Sequence, residues 1–400
     1  MKMLERKEYL EKIINAKDIN LVKVITGVRR SGKSTLLVQY KDYLIKNINK
    51  DDEIIYISFE SLKWKDIKDY MDLYQYITKT ECKGKKYILL DEIQSVKDWE
   101  KCINSLLIDI NCDIYITGSN AYMLSSELTT LLAGRVFTIS IYPFSFSEYI
   151  KIYPFEKNEN NEDKFLQYLR FGGMPMITTL KNDETLLTNY LKDVRDVIIK
   201  NDVIARNNIK DIPLLDNLML YMASVIGQLT NPTAIAEYIN KSGSNVRHET
   251  IDAYLKMLEN AFVIYRTPRY KLEGKQLLKT QGKYYYVDNG IKNAIGGFSS
   301  YDSGSSLENI VYIELLRRGY EVYVGVYKSL EIDFIAIKPN EKLYIQVSRS
   351  IQNEEVEERE KKSLLSIKDN NPKYILTMDR VKDKIIDGIK VINVIDFLLE

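Results

Sequence analysis

The N-terminal part of the chain alternates between short apolar runs and amphipathic stretches. Residues Leu21–Thr26 alternate and end in β-branched side chains, which predicts a strand, and Leu36, Leu37 and Tyr40 follow at helical spacing. Similar apolar runs predict further strands at Glu53–Phe59, Lys86–Leu90 and Asp113–Thr117. Four apolar residues in a row before Asp91 indicate a strand buried on both faces, as in a parallel sheet. The pattern therefore predicts an α/β fold, with a helix over Leu62–Thr80 between the second and third strands.

A glycine-rich loop joins the first strand to its helix. Residues Gly27–Thr35 read GVRRSGKST and fit the phosphate-binding pattern G-x-x-x-x-G-K-[ST] in the strand–loop–helix context that it requires. Lys33 is expected to reach the β/γ-phosphates, and the Ser34 hydroxyl is expected to bind Mg²⁺. The predicted nucleotide-binding residues of this loop are Gly27, Arg29, Arg30, Ser31, Gly32, Lys33, Ser34 and Thr35.

Two acidic residues end the buried third strand. Parallel sheets bind their ligands at the carboxyl ends of their strands, so Asp91 is expected to hold Mg²⁺, directly or through water. Glu92 is expected to polarise the attacking water. The alternative is a strand end capped by solvated acids.

Two further residues are weaker candidates for the same site. Asn120 follows the fourth strand, where a polar side chain can sense the γ-phosphate, although Gly-Ser-Asn is also an ordinary turn. Arg135 ends the segment Ser125–Arg135 and is a candidate arginine finger, acting in cis or from a neighbouring subunit. The local residues alone favour an ordinary surface arginine.

The order of these motifs resembles that of the prokaryotic AAA+-like P-loop ATPases whose loop has the form G-x-R-R-x-G-K-S. Phe171–Pro175 and the C-terminal stretch Ser350–Glu400 are similar to later parts of the same family, so the resemblance covers nearly the whole chain. It implies ATP as the nucleotide, with Mg²⁺. It also implies roles for five residues: Lys33, Ser34, Asp91, Glu92 and Arg135.

Composition restricts the classes of function. The chain has 400 residues and a formal net charge of +1, so no global field favours nucleic acid or an acidic membrane. Three unpaired cysteines and a single histidine argue against a zinc site or a disulfide scaffold. No signal-peptide pattern opens the chain, and no apolar run is long enough to span a membrane. We expect a cytoplasmic protein.

The middle of the chain resembles a winged helix-turn-helix. Two short helices, at Ala234–Ile239 and Glu249–Ala261, precede two predicted wing strands at Phe262–Arg266 and Tyr284–Val287. Basic side chains there could meet the phosphates of double-stranded DNA: Lys241, Arg247, His248, Arg266, Arg269, Lys271, Lys275, Lys279 and Lys283. A packing or protein-contact module is the alternative, and acidic residues on the second helix would repel DNA.

The C-terminal part resembles the restriction-endonuclease-like fold, the PD-(D/E)xK nucleases. Glu308 lies on a predicted helix, and Asp333, Gln346 and Ser348 lie on predicted strands. Gln346 stands where a carboxylate is usual, and Ser348 stands where the lysine is expected, so we interpret this as a degenerate nuclease site. The expected domains are residues 1–155 (P-loop core), 156–210 (helical), 211–300 (winged helix) and 301–400 (nuclease-like α/β).

Three functions stay open from the sequence. The first is an ATPase whose hydrolysis changes the conformation of the C-terminal modules, with double-stranded DNA, a second copy of the chain or an unidentified protein as partner. The second is a nucleotide-gated scaffold with slow turnover. The third is an active nuclease.

Overall fold

The chain folds into two compact units in a computed structural model. The structure describes residues 4–121, 131–132, 134–156, 158–180, 183–241, 243–298, 303–381 and 384–400, without the side chains of residues 279, 280 and 303. The first unit comprises Met1–Ile141 with Asn260–Phe262, and the second comprises Tyr142–Glu259 with Val263–Glu400. The finer division into four domains stays a prediction.

The first unit is built on a five-stranded sheet. Its strands are β1 Val22–Thr26, β2 Glu53–Ser58, β3 Lys86–Asp91, β4 Cys112–Gly118 and β5 Val136–Ser140. They lie in the order β2-β3-β4-β1-β5, and every neighbouring pair is parallel. Its α-helices are α1 Lys7–Asn15, α2 Lys33–Asn47, α3 Tyr70–Thr78 and α4 Trp99–Asp109, with 3₁₀ turns at Leu62–Trp64 and Ile93–Ser95.

Helices cover both faces of this sheet. Val24 and Leu90 point into one apolar core with α3 and α4, whereas Ile25 and Leu89 point into the other with α1 and α2. Strands β1 and β3 are buried at every residue, which explains their continuous apolar runs. The predicted α/β class and the parallel P-loop core are confirmed.

The helix predicted over Leu62–Thr80 is shorter than expected. An α-helix forms only from Tyr70, because Asp69 and Asp72 make a capping box that fixes its start. The preceding residues form the short 3₁₀ turn. Apolar and aromatic composition alone does not show where such a cap stops the helix.

The second unit combines helices with a mixed sheet. Its α-helices are α5 Phe146–Ile152, α6 Asn161–Phe171, α7 Glu184–Ile198, α8 Ile212–Ser224, α9 Pro232–Asn240, α10 His248–Asn260, α11 Asn289–Gly296, α12 Ser303–Arg317, α13 Glu354–Leu365 and α14 Val394–Leu399, with a 3₁₀ turn at Pro175–Thr179 and a π-helix at Ile199–Ala205. Its strands are β6 Ile264–Lys271, β7 Gln276–Tyr286, β8 Glu321–Tyr327, β9 Leu330–Lys338, β10 Glu341–Ser348, β11 Lys373–Thr377, β12 Lys384–Ile386 and β13 Ile389–Asn393. They lie in the order β12-β13-β11-β10-β9-β8-β6-β7.

The predicted wing is part of this larger sheet. Strands β6 and β7 form the expected antiparallel hairpin, but they are longer than predicted. Strand β6 also pairs in parallel with β8 through Arg269–Lys271. The hairpin therefore extends the sheet of the C-terminal strands across the expected boundary at residue 300, instead of forming a separate wing.

Two glycines let the loop after α6 approach its neighbours closely. A Cβ on Gly173 would lie 2.2 Å from the Phe144 carbonyl oxygen, and Gly172 has a φ of +73°. The Gly173 N–H donates to the buried Asp288 carboxylate at 2.6 Å. Glycine is thus required where the Phe171–Pro175 motif packs.

Among the described helices, none has the length and apolarity needed to cross a bilayer.

Candidate functional sites

The P-loop has the backbone conformation of a phosphate cradle. Gly27 (φ +146°) lies so close to the residue after β5 that a Cβ on it would be 2.1 Å from the Ile141 carbonyl oxygen. Arg30 (φ 69°) and Gly32 (φ 102°) are left-handed, and α2 begins directly afterwards at Lys33. Such a loop directs backbone N–H groups and the positive end of a helix at one point.

Lys33 lies folded back onto its own loop. Its ammonium donates to the carbonyl oxygens of Gly27 (3.0 Å) and Val28 (3.1 Å), and lies 4.0 Å from Glu92 Oε1. The side chain is only 3% exposed. Two of its partners are thus neutral carbonyls. A charged phosphate oxygen can take their place, because its hydrogen bond to the ammonium is stronger.

Asp91 is surrounded by hydroxyl groups. The hydroxyls of Ser34 (2.9 Å) and Thr117 (2.6 Å) donate to Oδ1, and that of Ser58 (3.1 Å) donates to Oδ2. Ser58, Asp91 and Thr117 come from the adjacent ends of β2, β3 and β4. Because Asp91 is buried, these three hydrogen bonds satisfy its oxygens in place of water.

Glu92 is held in a strained backbone conformation. Its φ of 55° is left-handed, which costs a non-glycine residue about 1–3 kcal/mol. The Glu92 N–H donates to Thr117 Oγ1 at 2.9 Å, and the Gln94 side-chain amide donates to Glu92 Oε2. This turn directs the Glu92 carboxylate towards Lys33, at the carboxyl end of the sheet.

The other predicted nucleotide-binding residues lie on the same edge or on the loop itself. Ser31 is buried, and Thr35 is half-buried in the first turn of α2. Arg29 lies 3.6 Å from Glu60. Asn120 is half-buried directly after β4. Their roles in binding stay predictions.

Arg135 lies at the opposite end of the sheet. Its carbonyl oxygen accepts from the N–H of Val22, the first residue of β1, whereas the P-loop follows the last residue of that strand. Five strand residues span about 16 Å, which exceeds the length of an arginine side chain. A finger acting in cis does not fit this geometry, and a role in trans stays a prediction. Residues 125–130 and 133 of the segment Ser125–Arg135 lie outside the described part.

The residues predicted to meet DNA differ in exposure. Five side chains are exposed: Lys241, Arg247, His248, Arg266 and Lys275. Arg269 and Lys271 are half-buried, and the Lys279 side chain lies outside the described part. The prediction for Lys283 is wrong, because this side chain is 3% exposed and is paired internally.

Two of the proposed nuclease-like residues, Glu308 and Asp333, contact Lys283. Its ammonium lies 2.9 Å from Glu308, 3.0 Å from Glu331 and 3.2 Å from Asp333. We call these four residues the C-terminal ion cluster. Gln346 adjoins it, since its Oε1 accepts from the Asp333 N–H and its Nε2 donates to Glu360.

Ser348 is not part of this cluster. Its hydroxyl donates to the carbonyl oxygen of Ser350, and the side chain is half-buried. The lysine that contacts Glu308 and Asp333 is Lys283, from the hairpin strand β7.

The charges of the ion cluster shift the pKa values of its members. Burial lowers the pKa of Lys283, but the charges of Asp333, Glu308 and Glu331 outweigh it, so the pKa is raised overall. Burial, followed by the Asp333 charge, raises the pKa of Glu308 to about 7. One positive charge among three carboxylates leaves a negative excess that favours a retained proton.

Sequence reasoning missed Thr117, Ser58 and Gln94 in the first unit and Lys283 in the second. Thr117 and Ser58 could have been found from strand order, since they end the strands on either side of β3. Lys283 gave no local signal, because its partners lie 25 to 50 residues away.

Known proteins similar to this chain include one that matches it over its whole length. Residues 20–150 match the AAA domain family, and residues 162–302 match a domain of unknown function, DUF8612. An uncharacterized protein of Haemophilus influenzae is 42% identical over 100% of this chain and 99% of its own length. The uncharacterized protein MJ1544 of Methanocaldococcus jannaschii is 33% identical over 94% of this chain and 85% of its own length.

Solved structures show weaker similarity. The ORC1 protein of Aeropyrum pernix in complex with DNA has 10% identity and a TM-score of 0.33, over 74% of this chain and 92% of that one. AMPPCP-bound DnaA from Aquifex aeolicus has 17% identity and a TM-score of 0.32, over 64% and 87%. These scores are too low to carry function across. On the full-length identity, the chain belongs to the family of the Haemophilus influenzae protein and MJ1544, and its N-terminal unit contains most of the match to the AAA domain family.

Proposed function

We propose that this protein binds ATP with Mg²⁺ at the P-loop and hydrolyses it. Hydrolysis would change the conformation of the second unit. The observation that carries the proposal is the arrangement around Lys33: a buried ammonium held by two loop carbonyls, 4.0 Å from Glu92, beside the Asp91–Ser34 pair. This arrangement supports the proposal, because phosphoryl transfer to water uses a cation at the phosphates, a carboxylate for Mg²⁺ and a residue that orients the water.

The side chains at this position fit a hard divalent cation. Asp91 Oδ1, at the end of β3, and Ser34 Oγ, in the first turn of α2, are possible oxygen ligands 2.9 Å apart. Mg²⁺ is usually bound by one or two protein oxygens together with waters and phosphate oxygens. When bound, it would supply positive charge to the phosphates.

The chain's own residues supply the other functions. Lys33 would exchange its carbonyl partners for phosphate oxygens. The loop N–H groups and the start of α2 would orient the phosphate chain. Glu92 would orient a water molecule and accept its proton, and its left-handed backbone conformation aims the carboxylate for that role.

We propose that Arg135 acts as an arginine finger on the nucleotide of a second copy. Its position before β5 supports this proposal, since the arginine cannot reach the P-loop of its own chain. Arg135→Ala should lower turnover only at concentrations where the protein self-associates. An equal loss at all concentrations would contradict the role in trans.

The test is phosphate release from ATP by the wild type and by Glu92→Gln, with ATP affinity measured in parallel. We expect the variant to bind ATP normally and to lose turnover, and Glu81→Gln, at an exposed acid in the same unit, to behave as wild type. Equal turnover in Glu92→Gln and wild type would remove Glu92 from the mechanism. Tight ATP binding without wild-type turnover would favour a nucleotide-gated scaffold.

We further propose that double-stranded DNA associates with the exposed basic residues at the start of α10, including Arg247 just before it, and of the β6–β7 hairpin. Support comes from the exposure of Arg247, Arg266 and Lys275. Fluorescence anisotropy with a labelled duplex should show binding that weakens steeply with salt, and turnover should rise with DNA. Binding that salt does not change would contradict this proposal.

A further inference from the structure

One hydroxyl group contacts both acidic residues of the P-loop site. Thr117 Oγ1 donates its proton to Asp91 Oδ1 at 2.6 Å and accepts the Glu92 N–H at 2.9 Å. The side chain is 0% exposed, at the end of β4. A hydroxyl has one proton and two lone pairs, so it can make both bonds at the same time.

We propose that Thr117 is a positioning residue that couples the metal-binding carboxylate to the catalytic glutamate. The inference rests on the proposed ATPase function. Thr117 does not contact the reacting atoms. It fixes the Asp91 carboxylate on one side and the strained turn of Glu92 on the other, so that both acids keep one relative position.

Each bond has a separate consequence. Without the donated proton, Asp91 Oδ1 keeps only the Ser34 hydroxyl as a donor, and this hydroxyl is itself expected to bind Mg²⁺. Without the acceptor, the buried Glu92 N–H loses its partner at a residue with a φ of 55°. Loss of the hydroxyl should therefore affect both Mg²⁺ dependence and the catalytic step.

The experiment compares Thr117→Val, which keeps the shape, with Thr117→Ser, which keeps the hydroxyl. The matched control is Thr26→Val at the end of β1, because Thr26 is equally buried and its hydroxyl has no hydrogen-bond partner among the described residues. ATP affinity, kcat, the Mg²⁺ concentration for half-maximal turnover and the thermal unfolding midpoint are measured for each.

We expect Thr117→Val to lower kcat about tenfold or more and to raise the Mg²⁺ requirement, while ATP affinity changes little. Thr117→Ser should recover most of both, and Thr26→Val should resemble the wild type. Unchanged kcat and Mg²⁺ dependence in Thr117→Val would overturn the inference. So would equal losses of kcat and ATP affinity with a lowered unfolding midpoint, or no recovery by serine. A wild type without turnover would instead refute the proposed function itself.

Discussion

The two units each hold a buried lysine among acids, but the two lysines are bonded differently. In the first unit, Lys33 donates to the carbonyls of Gly27 and Val28, and Glu92 Oε1 lies 4.0 Å from its ammonium. In the second unit, Lys283 lies within 3.2 Å of three carboxylates. The first ammonium can exchange neutral partners for phosphate. The second is already neutralised by charged ones.

The same contrast applies to the acids. Asp91 is satisfied by neutral hydroxyls, which leave its negative charge available to a cation. The carboxylates of the C-terminal ion cluster already share the Lys283 ammonium. Similar residue types therefore form the proposed nucleotide site in one unit and an internal ion cluster in the other. The comparison shows that the partners of a charged residue decide its role more than its identity does.

The largest effect is expected from removing the charge of Lys283. Lys283→Met leaves three carboxylates around a buried position without a cation, which should lower the free energy of unfolding of the second unit by about 3–5 kcal/mol. Chemical denaturation measures this change. The exposed Lys384→Met on β12 of the same sheet serves as the control. Unchanged stability in Lys283→Met would show that the cluster is not held by its lysine.

Removing the charge of Lys33 should lower the affinity for ATP and leave the stability of the fold nearly unchanged. Lys33→Ala is expected to weaken ATP binding about 100-fold, because a charged bond to phosphate is lost, and to leave unfolding nearly unchanged. Titration with a fluorescent ATP analogue and denaturation of the same sample test both halves. A large loss of stability with intact ATP binding would reverse the comparison.

The smallest effect is a pH dependence of the ion cluster. The pKa of Glu308 is about 7 in the folded protein and near 4.5 when unfolded, so the folded state keeps a proton that the unfolded state releases between these values. Its stabilising contribution is present below about pH 4.5 and is lost as pH rises through 7, with a slope of at most about 1.4 kcal/mol per unit. Denaturation of wild type and Glu308→Gln across pH 5–8 should therefore show a steeper fall for the wild type. Equal slopes would contradict the raised pKa.

The sequence predicted those features of the fold whose signals are local. The buried strand Lys86–Asp91 and the loop Gly27–Thr35 are continuous patterns, so the parallel core and its acidic edge could be placed in advance. The hairpin β6–β7 was also predicted, but its pairing with β8 was not, because that pairing joins Arg269–Lys271 to residues more than 50 positions later.

Site residues that act through tertiary contacts were harder to predict. The sequence predicts Lys283 as a DNA-contacting residue, since a basic stretch carries no sign of the acids that surround it in the fold. The sequence alone predicts Thr117 as an ordinary strand residue, and its bond to Asp91 requires β3 and β4 to be adjacent. The distance of Arg135 from the P-loop could not be predicted, because it depends on the parallel pairing of β1 with β5.

The most direct test of the comparison uses one carboxylate from each unit. Mg²⁺-dependent phosphate release from ATP and nicking of a plasmid are measured for wild type, Glu92→Gln and Asp333→Asn. We predict that Glu92→Gln loses phosphate release, that Asp333→Asn keeps it, and that none of the three proteins nicks the plasmid. Turnover that survives in Glu92→Gln, or nicking by wild type that disappears in Asp333→Asn, would contradict the account.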